Sequence, residues 1–122
     1  NDIVELISGG GFLWKGRLDN VVLSGGLKFY PEDLEQKVAL EQNFILAGVA
    51  NPILGEQLIL IIESKTPLAE SKLRQALQNL ARLEKPKEVL YLDSFVYTAN
   101  SKIKRRETLR QAISFRPDKS DT

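Results

Sequence analysis

With no histidine and no cysteine among its 122 residues, this chain can do chemistry only with lysine, arginine, carboxylates, hydroxyls and backbone. Thiol nucleophiles, imidazole bases, disulfides and the usual zinc sites are excluded. Two stretches concentrate what is left. The first is TANSKIKRRETL, Thr98–Leu109; from Lys102 to Arg110, just past its end, Lys102, Lys104, Arg105, Arg106 and Arg110 are interrupted by one acid, Glu107. Three readings are open for this run. It can be a solvated helix face. It can be a nucleic-acid patch, although the missing aromatics and the neutral overall balance speak against that. Or it can carry an anion-directed lysine: Lys102 lies just before a helix start, where backbone N–H groups and the helix dipole favour negative charge. A lysine there meets a phosphate as a mobile point charge and can stabilise charge that develops when a carboxylate attacks an α-phosphate.

The second stretch is WKGRLDNVVLSGGLKFYPEDLE, Trp14–Glu35. Arg17 offers a planar fork for phosphate or carboxylate, or else forms a local turn-stabilising pair with Asp19. Ser24, Gly25 and Gly26 make either a simple bend between strands or a strip whose missing side chains let a thin ligand run along the backbone.

The elements that must position these residues follow from the pattern. Ile3–Ile7, the break Ser8-Gly9-Gly10-Gly11, and Phe12–Trp14 read as a hairpin. The three glycines are a turn rather than a phosphate loop, since no Lys-Ser/Thr follows and no helix opens there. Val21–Leu23 and Lys28–Tyr30 are short strands. Pro31 opens a helix with Glu32, Asp33 and Glu35 on the positive end of its dipole; Leu34, Val38 and Glu41 at four-residue steps carry it to near Asn43. Phe44–Ala50 and Gln57–Ser64 are continuous apolar runs, the pattern of strands covered on both faces, joined by the turn Asn51–Gly55. Pro67 starts a second helix with a Leu73, Ala76, Leu77, Leu80 stripe, stopped by Lys85-Pro86. Glu88–Leu92 is a further strand. A last helix begins around Lys104 with Leu109, Ala112 and Ile113 as its apolar face, and the tail after Phe115 is polar and frayed. The expected order is β-β-α-β-β-α-β-α: an α+β domain with a small mixed sheet, a leading hairpin and about three helices packed on it.

Composition sets the outer limits. The length suits one domain with a modest core. The 43% hydrophobic and 27% charged content is ordinary for a globular chain, and 17 basic against 16 acidic residues leave +1, with no global field to gather nucleic acid or an anionic membrane. The longest apolar runs, Phe44–Ala50 and Leu58–Ile62, are too short to span a bilayer. The start, Asn1-Asp2-Ile3, lacks an initiator Met and the marks of a signal peptide, so it reads as a cut inside a longer chain. Missing cysteines suit a cytoplasmic setting.

Taken together, the two stretches resemble a known family. GRLDNVVLSGGLKFYPEDLE is similar to the pattern Gly-Arg-x-Asp…Ser-Gly-Gly…Pro-x-x-(Ile/Leu)-Glu, and TANSKIKRRETL to Thr-x-Ser-Gly-Lys-Ile-x-Arg-Arg-x-Leu. AGVANPILGEQLILIIES between them resembles the same family's strand–turn–Gly-Glu–strand segment. The family is the acyl-adenylate-forming, AMP-binding superfamily, and the resemblance is to its C-terminal domain, from Asp2 to about Leu109. Asn100-Ser101 departs from the usual Ser-Gly before the lysine.

The resemblance implies a division into junction, hairpin and hinge (1–19), cap domain (20–115) and polar tail (116–122). It implies an ATP-dependent acid–CoA ligase in which a large N-terminal domain holds ATP, Mg2+ and the carboxylic acid, with this domain as its cap. Lys102 would assist formation of the acyl-AMP, and Asp2 and Arg17 would lie at the nucleotide. In the family's Thr-Gly-Asp motif, Asn1 stands where the glycine would be. Asp19 would be the hinge, and Ser24, Gly25 and Gly26 would flank the channel of the co-substrate CoA. No metal ligand is expected in this chain, and no nucleic-acid partner. The phrases NDIVEL and FLWKGRLDNVVLSGG look most like the o-succinylbenzoate–CoA ligases of menaquinone biosynthesis. The alternatives are another acyl- or aryl-CoA ligase, or an interaction module that kept the fold and lost the chemistry. Without the large domain, these residues are expected to have no ligase activity.

Overall fold

A computed structural model describes residues 2–116; Asn1 and tail residues 117–122 lie outside the described residues. Strands β1 (Asp2–Leu6) and β2 (Phe12–Arg17) pair antiparallel as a two-stranded sheet of their own. A 3-10 turn at Leu18–Asn20 leads into β3 (Val22–Ser24) and β4 (Leu27–Phe29), a second hairpin. Then come α1 (Pro31–Glu35), β5 (Phe44–Asn51), β6 (Gly55–Glu63), α2 (Glu70–Ala76), a 3-10 turn at Arg82–Glu84, β7 (Glu88–Leu92) and α3 (Arg105–Ser114). The α+β class with a small mixed sheet is as expected. Both hairpins precede the first helix, where the residues predict four strands, so the order β-β-α-β-β-α-β-α is one pair of strands short.

β6 is the centre of the five-stranded sheet. β5 runs antiparallel along it from Phe44↔Ile62 to Asn51↔Gly55. β7 runs parallel from Ile59↔Glu88 to Glu63↔Leu92, after a crossover through α2, and β3 joins at Ser24↔Gly55. The continuous apolar run of β6 has the predicted cause, because both of its faces are covered. Ile59 and Ile61 pack with Ile45, Leu90, Phe95 and Ala112 on one side, while Leu58, Leu60 and Ile62 pack with Val22, Leu34 and Leu80 on the other. Ile59 through Ile62 are fully excluded from solvent, which stabilises the fold by about 1.5–3 kcal/mol per side chain.

Both of the first two helices are shorter than their apolar spacing predicts. α1 stops at Glu35 instead of near Asn43, and α2 occupies Glu70–Ala76 instead of most of 67–84. One backbone hydrogen bond accounts for both ends: the Ala39 N–H donates to the Ala76 carbonyl at 3.0 Å. Ala39 thereby leaves the first helix, and the carbonyl that Leu80 would need in the second is already taken. The stripe residues keep their core positions, with Leu80 buried and Leu73 and Leu77 packed beside it. On α3, Ile113 is largely exposed, and Thr108 takes the buried place with Ala112. The Thr108 hydroxyl accepts the Val96 N–H at 3.3 Å, so a polar residue carries part of this contact. Arg116, the first residue of the tail, pairs with Glu88 at 2.9 Å.

Candidate functional site

Lys102 sits near the tip of a tight loop whose shape is set by its neighbours. Tyr97 and Ile103 form an isolated antiparallel bridge. Inside it the Thr98 N–H donates to the Lys102 carbonyl at 2.7 Å and the Ser101 N–H to the Thr98 carbonyl at 3.0 Å. The Thr98 hydroxyl oxygen accepts the N–H groups of Asn100 and Lys102 at 3.3 and 3.1 Å. The Lys102 side chain is exposed and projects from this braced backbone. The loop is anchored at its base by Glu63, the last residue of β6, which accepts the Phe95 N–H at 2.7 Å and the Tyr97 hydroxyl at 2.8 Å. Asn43 donates to both Glu63 and Tyr97. Burial by itself would raise the Glu63 carboxyl, but the hydrogen bonds from Phe95, Tyr97 and Asn43 outweigh it and hold the group below the usual carboxylate range.

Ser101, at the position the resemblance gives to glycine, has φ +65°, the one positive-φ residue other than glycine among the described residues. The loop geometry therefore keeps the left-handed turn, and serine carries its strain. Ser101→Gly is expected to stabilise the chain by about 0.5–1 kcal/mol; a thermal or urea melt showing equal or lower stability would contradict this.

Asp2 and Arg17 are brought together. They are cross-strand partners at the open end of the first hairpin, with Arg17 Nη1 3.6 Å from Asp2 Oδ1. Among the described residues, Arg17 makes its ion pair with Asp2 and not with Asp19. Asp19 lies exposed in the 3-10 turn, on the rim of a cavity of about 120 Å³ whose lining mixes apolar residues such as Val22 and Leu46 with Asn20, Glu56, Arg105 and Arg106. Ser24 ends β3, and Gly25 (φ +59°) and Gly26 (φ +84°) make the two-residue turn of the second hairpin, where positive φ at both central positions matches the twist of the strands. A groove of about 350 Å³ runs beside this turn, with Ser24 and Gly25 at one edge, an apolar lining of Leu27, Phe29, Leu54 and Leu83, and the cations Arg82, Lys85 and Lys87.

The lysine loop and the glycine turn are held apart by the central strand. Ser24 pairs with Gly55, the first residue of β6, and the lysine loop is bonded to Glu63, the last. β6 is nine residues long, so the two anchors lie roughly 26 Å apart at about 3.3 Å per residue.

Three carboxylates that organise this arrangement were not singled out by spacing. Glu63 is one. Glu35 makes a two-pronged ion pair with Arg105, and its Oε2 also accepts the Leu46 N–H at 2.9 Å. Arg105 Nη1 reaches the Leu46 carbonyl at 3.5 Å. Glu35 and Arg105 thus cap the polar edge of β5 as a neighbouring strand would. Arg105 is therefore not part of a free basic face. Burial pushes the Glu35 carboxyl up despite the guanidinium beside it. Glu32 is the third: it is buried and bonds Arg17 and Asn20 on either side of Asp19. Sequence did carry a signal for the first ion pair, since Glu35 closes one motif and Arg105 lies within the other.

Among the described residues no group of three or more His, Cys, Asp or Glu side chains could hold a metal ion. No described helix is long and apolar enough to cross a membrane.

No protein-family profile matches the chain. It is 29% identical over 113 residues to an indoleacetate–CoA ligase of Aromatoleum aromaticum, covering 87% of this chain and 22% of that protein. An acyl-CoA synthetase (AMP-forming)/AMP-acid ligase II-like protein of Dyadobacter fermentans superposes with a TM-score of 0.72 at 31% identity, over 92% of this chain and 34% of the other. The o-succinylbenzoate CoA synthetase of Bacillus subtilis, solved with its acyl-adenylate intermediate, superposes equally well (0.72) over 87% of this chain and 23% of its own, but at 21% identity. That likeness is one of fold and does not single out o-succinylbenzoate. The chain has the fold of the C-terminal domain of AMP-forming acyl-CoA synthetases.

Proposed function

We propose that the chain is the C-terminal cap domain (residues 20–115, behind a junction and hinge at 1–19) of an ATP-dependent, AMP-forming acid–CoA ligase, and that it serves the two half-reactions with opposite ends of β6. In the first, the acid's carboxylate attacks the α-phosphate of ATP, the α–β bond breaks, and acyl-AMP and pyrophosphate result. In the second, the CoA thiol attacks the acyl carbon, loses its proton, and AMP leaves. The observation that carries this reading is the separation of roughly 26 Å between the anchors of the lysine loop and the glycine turn. Two loops so far apart on one rigid sheet can serve one reaction centre only in turn, so the domain has to rotate between the steps.

Lys102 supplies the mobile positive charge in the first step, with Arg17 and Asp2 at the nucleotide. Rotation occurs at Asp19, exposed in a turn between the two sheets. It brings up Ser24, Gly25 and Gly26, where the turn leaves room for the thin pantetheine arm and the basic groove beside it suits a polyphosphate. ATP and its Mg2+ belong mainly to the partner domain. The acid is o-succinylbenzoate or another aryl or acyl acid, and the reading places the enzyme in the cytoplasm.

ATP–pyrophosphate exchange by the intact ligase, run across aromatic and aliphatic acids, tests this: acid-dependent exchange supports it, and none with any acid refutes it. The 122 residues alone should form no acyl-AMP. Gly25→Leu is expected to slow thioester formation from supplied acyl-AMP by roughly 10–100-fold while sparing adenylation. The leucine would be strained at φ +59° and its Cβ would already meet Leu54 at 3.5 Å. Equal loss of both half-reactions would contradict separate faces.

A further inference from the structure

The hinge corner is fastened to the first helix by contacts that a rotation at Asp19 would have to break. Glu32 is only 9% exposed. Its Oε2 takes two hydrogen bonds, from the Arg17 backbone N–H at 3.0 Å and from Asn20 Nδ2 at 2.8 Å. These donors stand on either side of Asp19. The other oxygen, Oε1, is buried and has no hydrogen-bond partner. It points at Gly16 (φ +147°), where an added Cβ would lie 2.8 Å from it. One residue along, Lys15 Nζ is 3.1 Å from Asp33 Oδ2, and that hydrogen bond raises the lysine above its ordinary range.

We infer that Glu32 is a positioning residue of the pivot, a latch that holds the junction strand β2 against α1 in this orientation. The inference rests on the hinge reading above. Asn20 follows Asp19 and moves with the cap, whereas Arg17 precedes it and moves with the junction. The Glu32–Asn20 bond therefore survives rotation, and the Glu32–Arg17 bond does not. The latch is built to release. A buried carboxylate with one oxygen doubly bonded and the other unpartnered is costly, and letting go of Arg17 returns that oxygen to water. Gly16 suits the latch because a side chain there would be strained at φ +147° and would push the Glu32 carboxylate aside.

The test uses Glu32→Ala and the conservative Glu32→Gln, whose amide oxygen can still accept both bonds. In the intact ligase, Glu32→Ala should change the ratio of adenylation to thioester formation by about 10-fold or more, and Glu32→Gln should stay close to wild type. Amide hydrogen exchange at Arg17 should accelerate by about 10-fold in Glu32→Ala, whether or not the protein is active. A parallel fall of both half-reactions, or a ratio and an Arg17 exchange rate that do not move, overturns the latch. An intact protein that activates no acid refutes the ligase reading instead, and the Arg17 exchange rate still decides the latch.

Discussion

Lys102→Ala is expected to lower acyl-adenylate formation by the intact ligase by about 10²–10³-fold, the usual loss when one preorganised stabiliser of developing charge is removed. Thioester formation from supplied acyl-AMP should change by no more than about twofold, because a group used in one half-reaction contributes nothing to the other. The expectation has a structural basis beyond the lysine itself. The loop is braced by Thr98 and by the Tyr97–Ile103 bridge, and its base is bonded to Glu63 at the end of β6. The exposed side chain contributes little to folding, so the variant should melt within about 0.5 kcal/mol of wild type. Pyrophosphate exchange and single-turnover thioester formation, measured on the same preparation, separate the two effects. Equal losses in both would remove Lys102 from its assigned step.

The largest expected effect on stability is three residues on, at Arg105, the first residue of α3. Arg105→Ala should destabilise the fold by about 3 kcal/mol or more, since it leaves Glu35 buried without its partner. Glu35 lies beside the open edge of β5, where its carboxylate accepts the Leu46 N–H while Arg105 reaches the Leu46 carbonyl. The deficit should depend on pH in a definite direction. Burial raises the Glu35 carboxyl in the folded state, so its contribution is fully present below the unfolded value, near pH 4.3, and is lost as pH rises through the folded one. Without Arg105 the folded value climbs further, and the loss extends to higher pH. Urea denaturation of both proteins should therefore show a gap that is small near the ordinary glutamate value and widens toward neutrality. A constant gap would show that Arg105 acts by packing alone.

Much of this was legible in the residues. Uninterrupted Leu58–Ile62 announced a strand buried on both faces, and that strand is the axis of the sheet. Pro31 marked a helix start, and Gly25-Gly26 a bend between strands. The departure at Asn100-Ser101 pointed to a backbone position that prefers glycine, and Ser101 does adopt left-handed φ. The two motif stretches could be matched to a family because motif spacing is a local property of the chain. Helix lengths were not legible, because the stop came from Ala39 meeting Ala76, a contact between segments that spacing cannot see.

By itself, the sequence determined the element types, the core strand and which residues carry charge at the two working loops, since side-chain period and turn chemistry act within a few residues. Only the tertiary structure decided what those charges do. It joined Glu35 to Arg105 across 70 positions of sequence, took Arg105 out of an apparently free basic run, and set Glu32 under the corner around Asp19. It also put the lysine loop and the glycine turn at opposite ends of β6, because a pleated strand is rigid and its length fixes a distance that the chain between those loops does not.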